Sequence, residues 1–99
     1  MDLSLGTPLY MAPELIKDVD YDEKVDVWAL GCIVYILLTG SPPFGGENRD
    51  EMAEAILGED PVFSHSIWDK LSIHAKDFVC RCLEKQPESR PAIEELFDH

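Results

Sequence analysis

The sequence predicts an all-α fold, and three observations carry that prediction. Ala75, Phe78, Val79, Cys82 and Leu83 recur at the i, i+3, i+4, i+7, i+8 spacing that lines one face of a helix. An apolar run from Val27 to Leu38 is preceded by a capping residue, Asp22, and followed by Thr39-Gly40 and Pro42-Pro43. No segment reads convincingly as a strand, and no repeat or low-complexity tract interrupts the chain.

The elements follow in order. Pro13 suits the first position of a short helix ending near Ile16, because the amide it lacks is one that a helix leaves unpaired. A polar, acidic turn runs from Lys17 to Asp22. Asp22 then caps a helix carrying Val25, Val27, Trp28, Ala29, Leu30, Cys32, Ile33, Val34, Ile36, Leu37 and Leu38. Apolar on every side, it reads as the central pillar of the fold, which other elements must cover. An acidic amphipathic helix is expected from Arg49 to Leu57, with Met52, Ala53, Ile56 and Leu57 inward and Gly58 ending it. The segment from Glu59 to Leu71 is irregular but too aromatic to float, with Phe63, Ile67 and Trp68 as its anchors. Ser72 caps the periodic helix described above, which Gln86-Pro87 terminates. Pro91 opens a last helix with Ala92, Ile93, Leu96 and Phe97 inward and Glu94 and Glu95 outward.

With 99 residues, 45% of them hydrophobic, the chain can build one small core. A net charge of −12 argues against nucleic acid and anionic membranes, which reward clustered Lys and Arg, and favours basic partners or peptides. The run from Val27 to Leu38 is too short to cross a bilayer, and the N-terminus lacks a basic stretch leading into an apolar one. Cytoplasmic or nuclear residence is the expectation. The odd count of three cysteines, Cys32, Cys80 and Cys82, has no framework spacing and reads as reduced, buried thiols. Cys80 and Cys82, two apart on a helix, point to different faces and cannot share a metal. His65, His74 and His99 have no partner at ligand spacing. Asp18, Asp20, Asp22 and Asp26 fall at the first, third, fifth and ninth positions of a possible EF-hand calcium loop. Its sixth position should be glycine and is Glu23, its twelfth should be glutamate and is Ala29, so calcium is not expected.

Three motifs carry the functional reading: Gly6-Thr-Pro-Leu-Tyr-Met-Ala-Pro-Glu-Leu-Ile16, Asp26-Val-Trp-Ala-Leu-Gly31, and Pro87-Glu-Ser-Arg90-Pro91. Singly each is common; in this order and spacing they resemble the C-terminal part, or C-lobe, of a serine/threonine protein kinase domain. The resemblance runs from midway through the activation segment to the last helix and covers essentially all residues, 1–99. Ile36 after Tyr35, the run Tyr35-Ile-Leu-Leu-Thr-Gly-Ser-Pro-Pro-Phe44, and the spacing of Trp68, Ser72, Ala75 and Asp77 lean towards the calcium/calmodulin-dependent group.

That resemblance implies a role for each matched position. Glu14 would pair with Arg90 and tie the end of the activation segment to the last helices. Asp26 would bond the backbone of a catalytic loop, Trp28 would lie buried beneath the activation segment, and Gly31 would let another helix approach closely. Ser4, Thr7, Pro8 and Met11 would line the site that seats a protein substrate, with the serine making that wall less apolar than usual. Leu3 stands where many relatives carry an activating phosphothreonine, which leaves Ser4 as the nearby candidate for phosphorylation. The glycine-rich loop, strand lysine, His-Arg-Asp loop and Asp-Phe-Gly magnesium site of kinases are not among these residues. Catalytic residues, metal ligands and cofactors are therefore expected to be none in this chain, with ATP and Mg belonging to the parent domain. Its expected partners are the N-terminal part of that domain and a protein or peptide substrate, with basic peptides favoured by the chain's charge. A non-catalytic binding module docking partners through the acidic helix and adjoining groove is the rival reading, and a partial gene model is a third.

Overall fold

The computed structural model describes residues 10–64 and 66–96. Pro13 opens α1 (Pro13–Ile16), as its missing amide requires, and Ala12 accepts the first amides of the turn. The chain leaves α1 through Asp18 in the left-handed region, at φ 56°, and the Val19 amide reaches back to the Glu14 carbonyl over 3.2 Å. The pillar helix α2 (Lys24–Thr39) starts one residue later than an Asp22 cap implies, yet the Asp22 carboxylate still accepts the Lys24 amide at 2.9 Å. Gly40 stops the helix at φ 79°, a conformation that costs a glycine little, and its amide bonds the Ile36 carbonyl.

The third helix, α3 (Arg49–Gly58), carries a cap that the sequence reading passed over. Asn48 accepts the Glu51 amide at 2.9 Å while the Glu51 carboxylate accepts the Glu47 amide, a variant of the reciprocal capping box. Its inner stripe also needs correction. Ala55 and Ile56 are buried with Met52 beside them, whereas Leu57 is 39% exposed. The three inward residues stand at i, i+3 and i+4, and Leu57 lies a further 100° round the helix.

The Glu59–Leu71 stretch contains one helical turn, α4 (Ile67–Lys70), and its aromatics anchor it as expected. Phe63 and Trp68 meet edge to face at 4.8 Å, and both contact the Tyr35 ring on α2. Ser72 accepts the Ala75 amide and caps α5 (Ile73–Cys82), which packs along α2. A 3-10 turn (Pro87–Ser89) and α6 (Ile93–Leu96) complete the described chain, and the inward position expected for Phe97 lies outside it.

The core centres on one side of α2: Val27, Trp28, Cys32 and Tyr35 are buried with Val79, Cys82 and Leu83 from the α5 region. Its other side is not enclosed by these elements, with Ile33 41% and Leu37 77% exposed. Among the described residues there is no strand, and no helix is long and apolar enough to cross a membrane. The cysteines are free thiols, but only Cys32 and Cys82 are fully buried; Cys80 is partly exposed, because it falls off the stripe that faces α2. Burial pushes the Cys32 thiol up to about 12 and the Cys82 thiol to about 11.

Candidate functional site

Arg90 ends the 3-10 turn in an extended conformation, with its side chain buried. It is 2% exposed, so each of its five N–H groups needs a partner. Nη1 and Nη2 grip Oε2 and Oε1 of Glu14 at 2.7 and 2.8 Å, a bidentate fork. The remaining donors reach main-chain carbonyls: Nε to Glu84 at 2.7 Å, Nη1 to Lys24 at 3.1 Å, and Nη2 to Lys85 at 3.3 Å. One side chain thereby joins α1, the start of α2 and the turn after α5.

Burial raises the Glu14 carboxyl, but the Arg90 hydrogen bonds, a local backbone bond and the guanidinium charge outweigh it, leaving the group below the usual carboxylate range. The guanidinium also lies 5.0 Å from the Trp28 ring centre. Trp28 in turn stacks on Phe44 at 5.6 Å, with their planes 8° apart, and the Lys85 ammonium lies 4.7 Å from the Phe44 ring centre. The Trp28 indole is fully buried, and its N–H has no hydrogen-bond partner among the described residues.

Two lysines that sequence reasoning missed complete this arrangement. The Lys24 ammonium bonds the carbonyls of Arg90, at 2.7 Å, and Pro87, at 3.3 Å, so Lys24 and Arg90 each donate to the other's backbone. The Lys85 ammonium bonds the carbonyls of Ile56, at 2.9 Å, and Glu59, and so closes the end of α3. Desolvation lowers its pKa, while the carboxylates of Asp60 and Glu59 oppose that shift. Neither lysine lies in a motif, and a bond to a carbonyl far along the chain leaves no trace in spacing.

Gly31 sits where α2 and α5 touch. A Cβ there would come within 2.6 Å of Cys82 Cβ and 3.1 Å of Leu83 Cδ2, closer than carbon atoms pack. Asp26 is exposed in the first turn of α2, where a carboxylate favours the helix dipole, and its side chain makes no hydrogen bond among the described residues. Of the expected substrate-facing residues, Met11 is 38% exposed beside Tyr10, and Ser4, Thr7 and Pro8 lie outside the described residues. Glu14, Trp28 and Arg90 thus form one cluster, Gly31 marks a separate helix crossing, and Asp26 and Met11 face outward. No group of three or more His, Cys, Asp or Glu among the described residues could hold a metal ion.

Residues 1–99 match the family model described as protein kinase domain. The chain is 45% identical over 94 residues to calcium/calmodulin-dependent protein kinase type 1B of Rattus norvegicus, covering 95% of this chain and 27% of that protein. It is 40% identical over 95 residues to calcium-dependent protein kinase 5 of Plasmodium berghei, covering 96% of this chain and 17% of the relative. Among solved structures it matches the twitchin kinase region from C. elegans with a TM-score of 0.90 at 34% identity, over 95% of this chain and 17% of that one. It matches the autoinhibited serine kinase domain of titin with a TM-score of 0.88 at 35% identity, over 95% and 29%. The chain spans less than a third of each of these proteins, and the lean towards the calcium/calmodulin-dependent group agrees with the relatives' names. The match of residues 1–99 to the family model, together with the similarity to these kinases, shows that this chain belongs to the protein kinase domain family.

Proposed function

We propose that these residues form the C-lobe portion of a protein serine/threonine kinase, supplying substrate-seating and bracing parts to a domain that transfers the ATP γ-phosphoryl group to protein Ser or Thr. The observation that carries this reading is the buried fork between Glu14 and Arg90. It fixes the end of the Tyr10–Ile16 segment against the helices behind it, and Ser4, Thr7, Pro8 and Met11, just upstream, would receive the peptide. Asp26, exposed and without a side-chain hydrogen bond among the described residues, would meet backbone from the rest of the domain.

Phosphoryl transfer depends on a held triphosphate, magnesium and a base at the acceptor hydroxyl. The sequence contains neither a glycine-rich phosphate loop nor the motifs that bind magnesium, and the described residues, which hold no metal-binding cluster, do not fit ATP or Mg. Those cofactors would be bound by the parent domain, which would act in the cytoplasm or nucleus on a protein or peptide substrate.

A chimera tests the reading. The N-terminal portion of the type 1B relative's kinase domain, up to its activation segment, is joined to residues 1–99 and assayed with Mg-ATP and a serine peptide. Phosphorylation by the chimera is expected, together with no heat of Mg-ATP binding to the 99-residue chain alone in titration calorimetry. A folded but inert chimera, or saturable low-micromolar binding by the chain alone, overturns the assignment.

A further inference from the structure

A second surface feature lies apart from the peptide-facing segment and offers carboxylates that the Glu14–Arg90 brace does not use. Between the irregular stretch after α3 and the end of α5 lies a cleft of about 460 Å³, within the size range of ligand sites. Pro61, Phe63, Cys80 and Leu83 supply its apolar surface, and Asp60 and Glu84 supply carboxylates. Both acids are exposed, and neither forms an ion pair among the described residues. The cation within the lining, Lys85, already bonds the carbonyls of Ile56 and Glu59 and lies against the Phe44 ring. Just outside it, Lys76 sits 5.1 Å from the Phe63 ring centre. Apolar walls and two exposed carboxylates that form no ion pair among the described residues, beside a lysine whose ammonium is hydrogen-bonded to carbonyls, suit an amphipathic cation.

We propose that this cleft docks a basic polypeptide segment by receiving an arginine side chain. The arginine stem would lie along Phe63 and Leu83, covering apolar surface, while the guanidinium met Asp60 and Glu84 with charge-assisted hydrogen bonds. Arginine suits the cleft better than lysine because its planar, weakly hydrated head can address two carboxylates at once. A chain of net charge −12 would draw such a segment in from a distance, an effect that salt screens. This surface would recognise a partner irrespective of catalysis, so it stands whether or not the chimera described above is active.

Cys80 offers a local readout, since it lines the cleft while Cys32 and Cys82 are buried. The probe is the peptide acetyl-Ala-Leu-Arg-Leu-Ala-amide, compared with its citrulline counterpart, which keeps the shape and loses the charge. Alkylation of each cysteine in the 99-residue chain by N-ethylmaleimide is followed by mass spectrometry at low salt. The arginine peptide is expected to slow modification of Cys80 and leave Cys32 and Cys82 unaffected. The citrulline peptide should protect about threefold less at equal concentration, as expected for the loss of two exposed charge contacts. The variant D60N/E84Q, altered only at exposed side chains, should erase the difference between the two peptides. Equal protection by both peptides, protection that survives in the double variant, or a Cys80 already unreactive in the free chain overturns the proposal.

Discussion

The two sides of the pillar helix solve opposite problems. On one side, a charged pair that would be expensive to bury is made tolerable by completeness: all five Arg90 donors are used, and the carboxylate they grip is only 3% exposed. On the other side, Ile33 and Leu37 are simple apolar residues left open to solvent. The polar side fixes how three elements sit together, whereas the apolar side is a surface waiting for cover. Fixed geometry is concentrated in the brace, and the open face offers only bare apolar surface.

The sharpest way to break that contrast is to remove one partner of the brace. Glu14→Ala and Arg90→Ala should each destabilise the chain by about 3 to 5 kcal/mol, because each strands a buried charge. Arg90→Ala should lie at the upper end, since it also deprives the carbonyls of Lys24, Glu84 and Lys85 of their donor. The double variant should lose much less than the sum; additive losses in a urea-melt cycle would show that the two residues act separately.

Next in size is Gly31→Ala, which tests packing without charge. The added methyl meets the Cβ of Cys82, which cannot swing aside as a side-chain tip could, so α2 and α5 must part. A loss of about 1 to 3 kcal/mol is expected in the same melts. No loss would mean that the helices separate freely at this crossing.

Acid provides a graded test of the brace. The folded Glu14 carboxyl titrates below its unfolded value of about 4.3, so the pair's contribution is complete above that pH and drains away as pH falls through the folded value. Glu14→Gln should therefore flatten the acid limb of stability against pH. The buried thiols act with the opposite sign. Cys32 and Cys82 titrate above their unfolded value of about 8.5, so stability should decline as pH rises from there towards about 11 and 12.

The smallest effect on stability belongs to the open face. Leu37→Lys should change the melt by no more than about 0.5 kcal/mol, because the side chain is already 77% exposed. Its effect should instead fall on assembly. The parent chain is expected to self-associate and to bind a dye for apolar surface, and the lysine variant to do less of both in sedimentation and fluorescence. A dilute monomer with a sharp cooperative melt and no dye binding would show that the exposed residues are not adhesive and would strengthen the binding-module alternative.

What could be read from the sequence was local. The Pro13 start, the Gly40 stop and the Ser72 cap each depend on a residue's own backbone preference, and each is present. The Asn48 cap was equally readable from Asn-x-x-Glu and was passed over. The meeting of Glu14 with Arg90 came from family resemblance, since no periodicity relates two residues so far apart. Lys24 and Lys85 were hidden because their partners are carbonyls, which every residue carries. Leu57 and Cys80 were misplaced because an apolar residue beside a stripe looks like a member of it until the helix has a neighbour.

The brace also sets an order of events during synthesis. Glu14 and Arg90 are 76 positions apart, so at about 5 to 20 residues per second the ribosome makes the acid roughly 4 to 15 s before its partner. Throughout that interval burial of the carboxylate is unfavourable, and α1 has no reason to lock against α2. Arrival of Arg90 removes the penalty and supplies the fork at once. A chain whose synthesis stalls before that residue would keep Glu14 in water, so the arrival of Arg90 is itself the signal for closure.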